Sequence, residues 1–274
     1  MAEISIVIPT YNSAKTLGSC LRSVADQRRR AKAVLVIDRF STDGSQKIAQ
    51  SYGAEVIEID ANRSIARNLG LEHSSSDGVV FIDSDMILPP TLVGDCEVGL
   101  NVHDALVIPE SSSGVGFWAR CNALERRTHQ GNDLLEAARC FRKDIFISIG
   151  GYDSTLEAGE DWDIQCRAKL SDLSIGRIGS VIVHDEGNAT LLGLLKKKYK
   201  YGKTGQKYLK LNPHVGFKQI HPYHRIVAPG LRIMQSHPVE GLGFAFLKTM
   251  EFTVAGFGWA RASLERGNRL TGVD

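Results

Sequence analysis

With 274 residues, 43% of them hydrophobic and 23% charged, and a mean hydropathy of −0.12, the chain has the makeup of a globular protein with a sizeable core, not of a disordered or fibrous one. Five scattered cysteines, Cys20, Cys96, Cys121, Cys140 and Cys166, show no paired spacing, which excludes a disulfide framework and a cysteine zinc site. The formal net charge of +2 conceals a division: between Glu186 and Glu240 lie ten of the 33 lysines and arginines and none of the 31 acids, so that stretch is expected to face something anionic.

The chain opens directly on the apolar run Ile4–Ile8, without the basic segment and cleavage site of a leader peptide, and a cytoplasmic location is expected. Further apolar runs at Ala33–Ile37, Val56–Ile59 and Val79–Ile82 alternate with helix-period stretches that begin near Asn12/Ser13, Thr42–Asp43 and Asn62, each offering a capping side chain. That alternation predicts an α/β fold with a mostly parallel, Rossmann-like sheet covered by helices. Ligands of such sheets sit outside the carboxyl ends of the strands, so Pro9–Asn12, Asp38–Asp43 and Asp83–Asp85 are expected to lie close together. A strand at Ala105–Ile108, a loop at Ser111–Gly116, a turn at Gly150-Gly151-Tyr152-Asp153 and a strand Ser180–Val183 ending at His184 follow.

From Leu191 onward, Lys196, Lys200, Lys203, Lys207 and Lys210 recur at helical spacing on one face. Gly202 and Gly205 interrupt it, each at a cost of about 1 kcal/mol. The apolar stretch Gly241–Ala260 contains Lys248 and Glu251, which makes it a poor membrane span while leaving the pattern of an interfacial helix. The organisation read from the sequence is a catalytic domain over residues 1–186 and a basic, mainly helical C-terminal extension over 187–274.

Chemistry concentrates at Phe81-Ile82-Asp83-Ser84-Asp85-Met86, where an apolar strand delivers two carboxylates at its tip. Hard divalent cations take oxygen ligands and keep phosphate oxygens in their shell, so Mg²⁺ or Mn²⁺ on a diphosphate suits the pair; the tripeptide alone equally fits a solvated turn. Arg67, in Ala66-Arg67-Asn68, has the planar fork that grips carboxylates or phosphates. Glu160, Asp161 and Asp163 crowd the first turn of a helix, which the helix dipole alone favours; like charges there are expected to raise the proton affinity of Asp161.

Taken in order, SIVIPTYN, VID followed by STDGS, ARNLG, FIDSDM, GGYD and GEDWDIQCR make residues 3–186 resemble the family-2 glycosyltransferases. The resemblance implies a GT-A type fold and an inverting transfer of sugar from a nucleoside-diphosphate sugar. It places the donor against Pro9, Thr10, Tyr11, Asn12, Asp38, Arg39, Arg67, Asp83 and Ser84, and the divalent metal on Asp85 with His184 completing its shell. Asp161 is then the general base, a carboxylate able to take the acceptor hydroxyl's proton. Glu160, Trp162 and Arg142 fall on the acceptor side; the charged Glu125-Arg126-Arg127 and Arg139–Arg142 segments are expected either to flank the acceptor cleft or to form surface ion pairs. Arg39 departs from the family pattern, which has a second aspartate there; this puts uridine specificity in doubt and admits a guanosine donor.

A saccharide or polyprenyl-phosphate-linked acceptor and an anionic membrane surface are the partners suggested by the lysines interleaved with Tyr199, Tyr201 and Tyr208. The expected setting is thus cytoplasmic and peripheral to the inner membrane face. No nucleic-acid motif accompanies the basic stretch. Two alternatives share these residues. A sugar nucleotidyltransferase would carry a Gly-rich basic loop after the first strand, and Tyr11-Asn12-Ser13-Ala14 is none; a non-catalytic binding module would not need Asp83, Asp85 and Asp161.

Overall fold

The computed structural model describes residues 2–271. Met1 and residues 272–274, the ends of the two expected domains, lie outside the described residues. The chain forms two compact units, one of Met1–Ser111, Gln130–Thr155 and Glu160–Asp185, the other of Ser112–His129, Leu156–Gly159 and Glu186–Asp274. The division at Asp185/Glu186 is one residue from that read in the sequence, but the second unit also takes Ser112–His129 from mid-chain.

In the first unit, β1 (Ile4–Thr10), α1 (Ala14–Ala25), β2 (Val34–Asp38), α2 (Ser45–Ser51), β3 (Glu55–Glu58), α3 (Arg63–His73) and β4 (Gly78–Phe81) alternate as the hydrophobic pattern predicts. Alternation within β1 decides what each face buries: Ile4, Ile6 and Ile8 join Leu17, Leu21 and Leu92 on one side, while Val7 joins Val79, Phe81, Phe141 and Tyr152 on the other. Both faces are dry, which is why these strands read as continuous apolar runs. Among the expected caps, Asn62 accepts from Ile65 N of its own helix (2.9 Å). Asp43 accepts from both Ala14 N (2.9 Å) and Ser45 N (3.1 Å), tying the starts of α1 and α2 together.

Then come β5 (Met86–Ile87), α4 (Leu92–Leu100), β6 (Ala105–Val107) and β7 (Glu110–Ser113), the second unit's α5 (Phe117–His129), and back in the first unit β8 (Ala138–Arg142), α6 (Lys143–Ser148), α7 (Glu160–Leu170), β9 (Ile175–Arg177) and β10 (Ile182–Asp185). The seven-stranded sheet has the order β3-β2-β1-β4-β8-β6-β9. Every pair is parallel except those of β8, which runs antiparallel to β4 and to β6. A small sheet, β5-β10-β7, pairs His184 with Met86.

The second unit is helical: α5, α8 (Leu191–Thr204), α9 (Gln206–Leu211), α10 (Pro213–Ile220), a π-helical turn Tyr223–Val227, α11 (Ala228–Ser236) and α12 (Pro238–Thr271). Cys121 of α5 packs with Leu194, Ile233, Phe244 and Leu247, so the apolar face of α5 is completed by the C-terminal helices; this is the reason it leaves the first unit. The lysine stripe is broken at Gly205, between α8 and α9. Gly202 has a different reason to be glycine, because a Cβ there would sit 2.1 Å from the Ala255 carbonyl oxygen of α12.

Candidate active site

Register places Thr10 of β1 opposite Asp38 of β2, so both chains leave the sheet at the same level. Asn12, at φ 48, donates its N–H to Ser41 Oγ (2.8 Å) and accepts from Thr42 N (2.9 Å). Asp38 is fully buried and its carboxylate accepts from Ser41 N (2.7 Å), Ser41 Oγ (2.6 Å) and Gln46 Nε2 (2.8 Å), so it shapes the loop from within. Arg39 turns outward, 2.8 Å from Asp60 and over the Tyr11 ring at 5.7 Å. Tyr11 and Phe40 are exposed beside it. Ser84 Oγ donates to Ser13 Oγ (2.8 Å), joining the third strand end to the first. The three segments expected to meet do so.

Arg67 is the centre of the cluster. The first turns of α3 place Arg63 and Arg67 four residues apart on one face. With none of its side chain exposed, Arg67 donates to Asp83 Oδ1 (2.8 Å) and Asp161 Oδ1 (2.7 Å) and lies 3.4 Å from Glu160 Oε1. Its guanidinium stacks over Tyr152 at 5.0 Å. Asn68, the next residue, holds that ring in place by accepting from Tyr152 N (2.9 Å) and donating to Tyr152 O (2.8 Å); the ARN and GGYD segments are thus one device. Gly151 is at φ 61 in that turn.

Three further residues take part, of which the sequence reading named only Arg139, within the Arg139–Arg142 segment. Arg63 lies 3.0 Å from Glu160 and 4.0 Å from Asp83. Arg139 reaches Asp83 Oδ2 (3.6 Å) and Asp161 Oδ2 (3.9 Å), and pairs closely with Glu110. Glu110 Oε2 in turn lies 2.9 Å from His184 Nε2.

These pairings set the charges. Burial opposes ionisation of Asp83, yet Arg67, Arg139 and Arg63 hold its carboxyl well below the ordinary range. Burial likewise opposes the charge on Asp161, and the same arginines bring its pKa below the usual value. This corrects the expectation that Glu160 and Asp163 raise the proton affinity of Asp161: Asp163 is turned to Arg167 (2.8 Å), and the arginines outweigh both burial and the nearby carboxylate of Asp83. It is Glu160 whose pKa is raised, by burial and by Asp161.

Two further placements differ from the sequence reading. Arg142 pairs with Gly78, at the beginning of β4, and with exposed Asp144 (2.9 Å); because β8 is antiparallel, its start and not its end reaches the site. Arg139 is there in its place. Glu125, expected on a cleft or in a surface ion pair, is buried in the second unit against Lys248 and Arg225. Trp162 is half-buried and donates its indole N–H to Leu135 O (3.0 Å).

Among the described residues no group of three or more His, Cys, Asp or Glu side chains is arranged to hold a metal ion. Asp85, with 44% of its side chain exposed, has Oδ1 3.7 Å from His184 Nδ1, too far for a hydrogen bond. A carboxylate and an imidazole facing each other across that gap fit a hard cation that draws its other ligands from phosphate and water.

Residues 5–112 match the family model described as Glycosyl transferase family 2. Over those residues the chain is similar to the family-2 glycosyltransferases. A curated relative, the uncharacterized glycosyltransferase YibD of Escherichia coli, is 31% identical over 96 residues, 33% of this chain and 28% of the relative. The chain thus spans under a third of the length of the first curated relatives it matches. Among solved structures, the mannosyltransferase PcManGT of Pyrobaculum calidifontis, in complex with GDP-Man and Mn²⁺, superposes with a TM-score of 0.65 at 14% identity, covering 94% of this chain and 87% of that one. TarS 1–349 of Staphylococcus aureus in complex with UDP-GlcNAc gives 0.54 at 15% identity, covering 97% and 92%. The chain has the GT-A fold of these glycosyltransferases, an α/β architecture with a mostly parallel central sheet.

Proposed function

We propose that this protein is an inverting glycosyltransferase that moves a sugar from a nucleoside-diphosphate sugar to an acceptor hydroxyl. The observation that carries the reading is the convergence of Asp83 and Asp161, 78 positions apart in the sequence, on the two ends of one buried guanidinium at the carboxyl ends of the strands. Setting a fully buried guanidinium between two half-buried carboxylates is costly, and a packing role alone does not call for it.

The loops after β1 and β2 offer the nucleoside an aromatic and polar rim of Tyr11, Asn12 and Arg39. That rim accommodates the donors named in the related structures, a UDP- or a GDP-sugar. Asp85 and His184 would hold Mn²⁺ or Mg²⁺, which supplies charge neutralisation for the departing diphosphate. Arg67 anchors Asp161 through Oδ1, while Oδ2 is held only loosely by Arg139 at 3.9 Å. That second oxygen accepts the acceptor hydroxyl's proton as the hydroxyl attacks the anomeric carbon from the face opposite the diphosphate. The arginines keep Asp161 unprotonated and correctly turned. The exposed lysines of α8, Lys196, Lys197 and Lys200, suit a phosphate-linked lipid acceptor or an anionic membrane face; no described helix is long and apolar enough to cross a membrane.

A thermal-shift screen of UDP, GDP and their sugars with and without Mn²⁺ tests the donor site, since a ligand of the native state raises its melting temperature. A metal-dependent shift with one nucleotide is expected, and Asp85→Ala should diminish it. Asp161→Asn is expected to keep that shift while transfer falls about 10²–10⁴-fold. Full activity in Asp161→Asn removes the base assignment.

A further inference from the structure

We propose that Glu110 is a positioning residue for His184, fixing which ring nitrogen is turned to the cation; the inference rests on the donor-site reading above. Glu110 begins β7 and is mostly buried, with one carboxylate oxygen taken by Arg139 and the other 2.9 Å from His184 Nε2. Held against a guanidinium, the carboxylate acts as an acceptor, so the imidazole places its proton on Nε2 and donates it to Glu110. The lone pair of the neutral ring is then on Nδ1, the nitrogen that faces Asp85 Oδ1 at 3.7 Å. With the ring neutral, two acceptors face each other across a gap longer than a hydrogen bond, and either a metal cation or a second ring proton between them relieves the repulsion. A ligating histidine whose other N–H is held by a carboxylate is better oriented and more basic than one without.

Glu110 also joins two parts of the site. Through Arg139 it touches the group that reaches Asp161 Oδ2, and through His184 it touches the metal side. Loss of its carboxylate therefore frees the ring to exchange tautomers and leaves Arg139 with Asp83 and Asp161 alone.

The test is Mn²⁺ titration of the whole chain, read by electron paramagnetic resonance of the free ion in the presence of UDP and, separately, GDP. Glu110→Ala is expected to weaken Mn²⁺ binding about tenfold or more, and Glu110→Gln, which keeps an acceptor oxygen and the same shape, by less. On a His184→Ala background Glu110→Ala should add nothing, as for a residue acting through another. Nitrogen-15 spectra of the metal-free protein should show the His184 proton on Nε2 in the wild type and a mixture of tautomers in Glu110→Ala. The proposal is overturned if Glu110→Ala binds Mn²⁺ within about twofold of wild type, if its effect survives intact without His184, or if the His184 proton sits on Nδ1. If wild-type nucleotide binding does not depend on Mn²⁺, the metal reading falls by itself, and the tautomer measurement still decides the link between Glu110 and His184.

Discussion

Each unit of this protein buries an ionic network, and the two are built to opposite ends. In the first, the carboxylates of Asp83, Glu110, Glu160 and Asp161 meet the guanidiniums of Arg63, Arg67 and Arg139, with acids in excess and Asp161 and neighbouring Asp85 still partly open to solvent. In the second, Glu125 and Glu251 meet Lys198, Arg225 and Lys248, with cations in excess and Lys248 and Glu251 almost wholly buried. Lys248 lies between the two acids, but Glu125 also has Arg225 (3.0 Å) and Glu251 also has Lys198 (3.3 Å). The cations that back up Arg67 stand farther off, with Arg139 3.6 Å from Asp83 and 3.9 Å from Asp161. The lesson is that burial of charge does not mark a site; a site is marked by carboxylates that share a cation and keep an open oxygen.

The comparison breaks most sharply at the two central cations. Arg67→Met leaves Asp83 and Asp161 without their closest partner and should destabilise the protein by about 3–5 kcal/mol, seen as a lower urea midpoint, with transfer lost. Lys248→Met leaves each acid its second cation and should cost about 1.5–3 kcal/mol with transfer retained; equal losses for the two would erase the distinction. Gly202→Ala tests the frame around the second network, because its methyl group meets the Ala255 backbone of α12. A loss of about 1–3 kcal/mol is expected on the same urea curve.

The second network also has a pH signature. Burial, reinforced by Arg225 and Lys248 and opposed by Glu125, lowers the His129 pKa from 6.5 to about 3. Between those values the unfolded chain binds a proton that the folded chain does not, so stability should fall as pH drops below 6.5. Melting temperatures recorded from pH 7 to pH 5 should decline less steeply in His129→Gln. The smallest effect is expected at Arg142, far along β8 from the cluster, where Arg142→Ala should change neither transfer nor stability by more than about 0.5 kcal/mol.

Much of this arrangement was legible in the amino-acid order. The apolar runs gave β1, β2, β4 and the helices between them, because buried parallel strands leave a continuous hydrophobic signature. The rule that ligands gather at strand ends brought Asn12, Asp38 and Ser84 together before any contact was known. Strand direction left no such trace: Ala138–Arg142 reads the same in either sense, and only pairing with Gly78–Val80 shows that Arg139 is the end at the site. Glu110 was equally silent, since a lone acid after a strand acquires meaning only from His184, 74 positions later. The proton affinity of Asp161 was misread because neighbours in sequence were counted and neighbours in space, three arginines from two other segments, were not.

One feature of the small sheet bears on how the site can vary. Asp185 N–H donates to the Asp85 carbonyl (2.8 Å), and His184 is paired with Met86. The separation of Asp85 and His184 is therefore set by a backbone ladder, and a ladder moves only in whole rungs. Changes to side chains around it shift the two groups by fractions of an ångström, whereas a slip of one residue turns His184 to the opposite face. The spacing behaves as a digital quantity: long insertions between β5 and β10 are compatible with it, and a single-residue deletion inside either strand is not.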